Sequence, residues 1–162
     1  MKVECSHSEL VELGELIPNP RNPNTHPEKQ IALLAEVLKF QGWRQPIVVS
    51  NRSGFIVKGH GRLMAARVAG FTQAPVDFQD YENDAQEWAD MISDNRLAEL
   101  SEFDSVSLKN LIEELDTGEN NLELTGYLEG DLERLISEIH QGESLESEPK
   151  EITCPECGNT WT

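Results

Sequence analysis

The sequence predicts an α+β fold: a small sheet packed with helices, followed by acidic helices and a two-cysteine tail. Three observations carry this prediction. Two β-branched runs, residues 46–50 and 54–58, are separated by Asn51-Arg52-Ser53, the pattern of a hairpin. Ile31, Leu34, Ala35 and Leu38 recur at helical spacing between Pro27 and Gly42. From Asn83 onward the apolar positions fall three and four apart, with no further alternation.

Taken in order, residues 10–17 carry a short apolar alternation that predicts a strand. The Pro18-Asn19-Pro20-Arg21-Asn22-Pro23 run cannot continue it, because prolines donate no hydrogen bond, and predicts a rigid loop. A helix over 27–41 follows, with Pro27 in its first turn and Gly42 as its stop. After the hairpin the chain runs into Gly59-His60-Gly61-Arg62, and Leu63, Ala66 and Arg67 open a short helix that Gly70 ends. Residues 75–78 predict one more strand. Three amphipathic helices complete the pattern, marked by Trp88, Met91 and Ile92, then by Leu108, Leu111, Ile112 and Leu115, and last by Leu128, Leu132, Leu135, Ile136 and Ile139. Residues 141–151 are almost devoid of apolar side chains and read as a flexible linker.

The 162 residues suit one compact domain with an appendage. No run of about 18 apolar residues is present and the first residues lack the apolar core of a signal peptide, so a cytoplasmic protein that does not enter the membrane is expected. Three cysteines are too few for a disulfide framework. The net charge of −17 is unevenly placed: residues 1–76 hold 9 Lys/Arg against 6 Asp/Glu, and residues 77–151 hold 4 against 23. A polyanion or nucleotide should therefore approach the first half. The acidic half reads either as a solvated surface or as a dock for a basic protein partner.

The strand-turn-helix element at Gly59-His60-Gly61-Arg62 carries the clearest chemistry. A helix N-terminus offers free backbone N–H groups and the positive end of its dipole, glycines admit a phosphate to the backbone, and Arg62 adds a forked cation. Glycines in such a place also serve simple tight turns, so the element gains weight only with its neighbours.

Those neighbours are Ile17-Pro18-Asn19-Pro20-Arg21-Asn22-Pro23, then Gly42-Trp43-Arg44-Gln45-Pro46-Ile47-Val48-Val49, then Lys58-Gly59-His60-Gly61-Arg62-Leu63-Met64-Ala65-Ala66, and Asp94-Asn95-Arg96. In order and spacing they resemble the successive boxes of the N-terminal domain in the ParB/sulfiredoxin superfamily. The resemblance covers about residues 10–100, and it implies a small nucleotide-binding α+β domain over 8–100, an acidic helical extension over 101–140, the linker over 141–151 and the tail over 152–162. It further implies that Gly59, Gly61 and Arg62, with His60, hold the phosphates of a nucleoside triphosphate, CTP or ATP. Asp94, an oxygen ligand suited to Mg²⁺, and Asn95 would face metal and phosphate, and Gln45 would shape the pocket. Asp94 and Asn95 have a plainer reading as the polar face of an amphipathic helix.

Two departures from the family pattern set limits. Partitioning ParB proteins follow the first box glycine with an acidic residue and two arginines, whereas here His60 and Gly61 precede Arg62, so hydrolysis is expected to be weak or absent. Sulfiredoxin needs a cysteine in this box and none stands between Cys5 and Cys154, which excludes sulfinic-acid reduction. His60 and Asp94 are the candidates for any catalysis, His60 as a proton shuttle or a plain phosphate donor. Residues 101–140 are too acidic and short for a helix-turn-helix DNA reader with a dimer domain, so direct DNA binding should be weak and non-specific. Asp94-Asn95-Arg96-Leu97-Ala98-Glu99-Leu100, followed by acidic helices and Thr125-Gly126-Tyr127-Leu128, instead resembles short phage and prophage members associated with ParB-like nucleases and DNA modification.

Cys154-Pro155-Glu156-Cys157-Gly158 resembles one knuckle of a zinc ribbon. Tetrahedral zinc needs four ligands, so either Cys5 with His7 completes the site, or two tails share an ion across a homodimer, or the tail binds none. Three functions remain open at this point: a nucleotide-responsive accessory protein in phage or bacterial DNA processing, modification or segregation; a hydrolase, phosphotransferase or nuclease of the same fold; and a non-catalytic interaction module.

Overall fold

The computed structural model describes residues 1–101, 104–115, 125–127, 130, 131, 134, 137, 152–153 and 160–161. They fall into two compact units, Met1–Glu102 and Phe103–Thr162.

The first unit is built on a four-stranded sheet of order β1-β4-β2-β3, with β1 at Glu9–Glu12, β2 at Ile47–Ser50, β3 at Ile56–Lys58 and β4 at Gln73–Gln79. β4 runs antiparallel to β1, with Leu10 opposite Pro75, and parallel to β2, with Ile47 opposite Val76. β2 and β3 form the expected hairpin, whose register shifts between Val48 and Val49. All four residues of β2 are buried. The alternation explains this: Ile47 and Val49 join one apolar cluster and Val48 joins another, so each face of the strand is covered.

The larger cluster lies beneath two helices, α1 at Glu28–Gln41 and α2 at His60–Val68. α1 contributes Ile31, Ala35 and Leu38, and α2 contributes Leu63, Ala65 and Ala66. Ala35, Ala65 and Ala66 are all at most 1% exposed, and side chains this small let two helix backbones approach closely. Trp43, between α1 and β2, is fully buried and stacks obliquely on Phe71 at 6.3 Å between ring centroids. On the opposite face Val48 and Val57 form a smaller cluster with Met91 of a third helix, α3, at Asp84–Glu99, and the partly buried Tyr81 packs against it. Asn83 caps α3 by accepting from the Gln86 N–H, while Gln86 accepts from the Glu82 N–H, a reciprocal arrangement that satisfies two end donors.

The structure shifts four expected boundaries. β1 ends at Glu12 instead of 17, because the chain turns there: Glu15 N–H bonds Glu12 C=O and Leu13 N–H reaches Thr72 C=O. α2 starts at His60, not at Leu63, since Leu63 N–H already bonds Gly59 C=O and the box lies inside the first helical turn. β4 is longer than expected because it is paired on both sides. Pro27 occupies the N-cap of α1, one place before the first turn.

In the second unit, α4 spans Ser105–Leu115, with Asp104 Oδ1 accepting from the N–H groups of Val106 and Ser107, and Ile112 is buried. Ile152–Thr153 (β5) pairs antiparallel with Thr160–Trp161 (β6). Cys154 and Cys157, the linker, and most of the helix expected near 128–139 lie outside the described residues. No helix among the described residues is long and apolar enough to cross a membrane.

Trp43 Nε1 is buried without a hydrogen-bond partner among the described residues. Trp43→Phe, which removes that orphan donor, should cost no more than about 1.5 kcal/mol, whereas Trp43→Ala should cost about 3–5 kcal/mol. Urea unfolding of the two variants checks the difference.

Candidate functional site

Gly59 is the single residue between β3 and α2, and it adopts φ 96° and ψ 24°, a left-handed conformation that favours glycine. A side chain there would also strike the Arg62 guanidinium at 3.1 Å and Ile47 at 3.3 Å. α2 has no side-chain cap at its N-terminus, so its first-turn amides are directed at the space in front of the box. Gly61 is a place of close approach: a Cβ would come to 3.2 Å from the His26 ring, which would have to give by a few tenths of an ångström. The ring of His26 therefore rests against the first turn of α2.

A cleft of about 160 Å³ opens at this point. Gly59, His60, Gly61 and Arg62 line it from the box, Asp94 and Asn95 from α3, Lys58 from the end of β3, and Asn22, Asn24 and His26 from the loop before α1. Gln45 is not part of the lining; it reaches the cleft by accepting from Arg62 Nη1. Arg62 Nε is buried and has no partner among the described residues. Burial pulls the Arg62 guanidinium below its ordinary pKa, and the nearby Asp94 and Cys5 oppose this.

His60 is half-buried, and its Nε2 accepts from the Asn19 backbone N–H at 3.2 Å. Its pKa lies below the usual 6.5, first because burial disfavours the charged ring and second because His26 is near. A neutral ring that accepts at Nε2 carries its proton on Nδ1. Across the cleft, Lys58 pairs with Asp90 at 2.9 Å and more loosely with Asp94 at 3.8 Å. The Asp94 side chain is 44% exposed, and Asn95 Nδ2 makes a long bond of 3.5 Å to Met91 C=O.

Sequence reasoning missed Lys58, His26, Asn22 and Asn24 as cleft residues. Lys58 and Asn22 stand within the boxes without a glycine or charge pattern to mark them, and His26 carries no signal beyond standing one residue before Pro27. Glu87 was missed too, and it is 2% exposed on α3.

The family model for the ParB N-terminal domain matches residues 2–96, which include every one of these cleft residues. The chain belongs to this family. The ParB-like nuclease domain-containing protein YnaK of Escherichia coli (strain K12) is 41% identical over 64 residues, or 40% of this chain and 72% of that protein. Among solved structures, the C-terminally truncated chromosome-partitioning protein ParB from Caulobacter crescentus, complexed with CTP-gamma-S, superposes with a TM-score of 0.59 at 20% identity, covering 84% of this chain and 88% of that one. The same protein complexed to the centromeric parS site gives a TM-score of 0.47 at 20% identity, over 86% and 80% of the two chains. The family match over residues 2–96 and the superposition at a TM-score of 0.59 establish the ParB N-domain fold of the first unit.

Within that ParB fold, the thiol of Cys5 lies near enough to Arg62 to feel its charge, yet burial pushes its pKa up from the ordinary value. It is thus a poor thiolate nucleophile at neutral pH.

The depressed His60 pKa has a consequence for stability. The fold accommodates the neutral ring, so the unfolded chain binds the proton more readily. The His60 contribution is present above the unfolded value of 6.5 and is lost as pH falls below it toward the lower folded value. Between pH 7.5 and about 5.5 the wild-type protein should lose more stability than a His60→Gln variant, as measured by urea unfolding at each pH. Equal losses would show that His60 takes no part.

Proposed function

We propose that this ParB-family domain binds a nucleoside triphosphate, CTP or ATP, by its phosphates, and acts as a nucleotide-responsive accessory protein in phage or bacterial DNA processing, modification or segregation. The observation that carries this reading is the convergence, in one cleft, of the uncapped α2 N-terminus, the left-handed Gly59 and the buried, incompletely bonded Arg62. Buried donors are rarely left unpaired, and an anion in front of the box would give the guanidinium and the first-turn amides their missing acceptor. Gln45 restrains the Arg62 fork, and partial burial strengthens its attraction for a phosphate. The Caulobacter crescentus relative bound to CTP-gamma-S supports the same ligand class here.

The size of the cleft limits what it holds. Pockets that bury an entire drug-sized ligand run to about 300–1,000 Å³, so about 160 Å³ suits the phosphate end of a nucleotide and leaves the base outside it. Mg²⁺ fits on similar terms. Among the described residues no group of three metal-ligating side chains exists, but Asp94 offers an exposed carboxylate, and Mg²⁺ is commonly held by one or two carboxylates together with substrate phosphates. Asp94 would hold the ion there with Asn95 facing the phosphate, and the ion would neutralise phosphate charge. Lys58, already shared with Asp90 and Asp94, would set how freely Asp94 takes part.

The same reading makes DNA contact weak and non-specific and leaves the acidic second half as a solvated surface or a dock for a basic protein partner; Cys154 and Cys157 would bind zinc only with two further ligands, from a second tail across a homodimer or from Cys5 and His7.

Fluorescent CTP or ATP should bind in a Mg²⁺-dependent manner, and Arg62→Ala should weaken it by about 1.5–3 kcal/mol, roughly ten- to hundredfold. Equal affinity in the variant would remove the phosphate assignment. Mobility shifts with duplex DNA should show low affinity that collapses between roughly 50 and 200 mM salt regardless of sequence, since only the first half of the chain is mildly basic. Tight, sequence-selective binding at physiological salt contradicts the reading.

A further inference from the structure

Glu87 is a carboxylate 2% exposed on the inner side of α3, and no Lys or Arg among the described residues pairs with it. Three donors converge on it instead: Ser50 Oγ at 2.7 Å, Ser53 Oγ at 2.9 Å and Asn19 Nδ2 at 3.5 Å. Asn19, itself 5% exposed, spends every polar group it has. Its Nδ2 goes to Glu87, its Oδ1 accepts from the Arg21 N–H, its C=O accepts from the Asn22 N–H, and its own N–H is the donor to His60 Nε2. A buried carboxylate on one helix thus reaches the imidazole of the box through one asparagine.

We infer that Glu87 is a positioning residue of the box: through Asn19 it fixes which nitrogen of His60 carries the proton, so that Nδ1–H is the one offered to a ligand. Only an N–H aimed at Nε2 excludes the other tautomer, because an Nε2–H form would face the Asn19 N–H donor to donor. The Asn19 amide holds that aim because its side chain is anchored at Glu87 and its flanks are Pro18 and Pro20. Charge on Glu87 is what suits three donors at once. A glutamine could not replace it freely, since Ser50 Oγ already accepts from the N–H groups of Arg52 and Ser53 and has no lone pair left for an amide NH₂.

The tautomer of His60 can be read directly from ring ¹⁵N shifts in the full-length protein, and this readout does not depend on the nucleotide reading on which the ligand arm of the inference rests. In the wild-type protein near pH 7.5, His60 should be protonated at Nδ1 and bare at Nε2. Glu87→Gln, and Asn19→Ser, whose shorter side chain can cap the turn but not reach Glu87, should each shift the tautomer ratio toward Nε2–H by roughly two- to tenfold, the worth of one hydrogen bond. Ser53→Ala, which removes a bond to Glu87 off the path to His60, should leave the ring signals in place. Unmoved His60 signals in a folded Asn19→Ser protein, or equal movement in Ser53→Ala, would overturn the inference. Titration of CTP with Mg²⁺ into the same variants separates the two readings. A fall in affinity that tracks the tautomer upholds both, whereas a tautomer shift with unaltered affinity upholds the positioning role and removes His60 from nucleotide contact.

Discussion

The first unit turns on one backbone joint. Lys58 ends a strand and His60 begins a helix, so Gly59 alone must reverse the chain, and it does so at a φ of 96°. Where α2 then points is decided by packing, since Leu63, Ala65 and Ala66 key it into the core beneath α1. The N-terminus of the helix is left facing the loop of Asn22, Asn24 and His26 on one side and α3 on the other. Without a left-handed residue at 59 the helix would leave β3 in another direction, and Arg62 would lose Gln45.

The two faces of the sheet are held by different physics. On the α1/α2 side the cluster is apolar and close-packed, the kind of surface that tolerates no missing volume. On the α3 side only Met91 enters an apolar cluster, and the helix is tied down through Glu87 to the hairpin turn, Asp90 to Lys58 and Tyr81, and Asp94 loosely to Lys58. Tyr81, driven well above its ordinary pKa by burial and then by Asp90, remains a donor throughout the physiological range. Directional bonds of this kind define the position of a helix sharply, but each depends on its partner's protonation and reach.

Much of this arrangement is legible in the amino-acid order. Ile31, Ala35 and Leu38 sit on the buried face of α1, the hairpin forms around Asn51, Arg52 and Ser53, and Asn83 starts α3. The structure also brings Asp94 and Asn95 to the same cleft as the box glycines, a proximity no periodicity could supply. What escaped the sequence has a common cause. Glu87, as one more acid in a strongly acidic half, looked like solvated surface, because burial of a charge depends on donors that come from residues 19, 50 and 53. The box itself read as a turn before a helix, since two glycines within four residues weaken helix propensity; tertiary contact with His26 and the core overrides that preference.

The sheet order bears on how the chain assembles as it is made. β4, the last strand of the first unit to leave a ribosome, is the one that lies between β1 and β2. β1 can meet no strand partner until about residue 73 is available, and β2 has only the short β3 before then. Every nascent chain shorter than this carries unsatisfied strand edges, which are templates for intermolecular pairing. Arrival of a single heptapeptide then closes both ladders, the one with β1 joining residues more than 60 positions apart in the chain and the one with β2 a much shorter loop. Completion of the sheet therefore waits on residues 73–79, and the largest loop-closure cost in it, that of the β1 ladder, falls at that step.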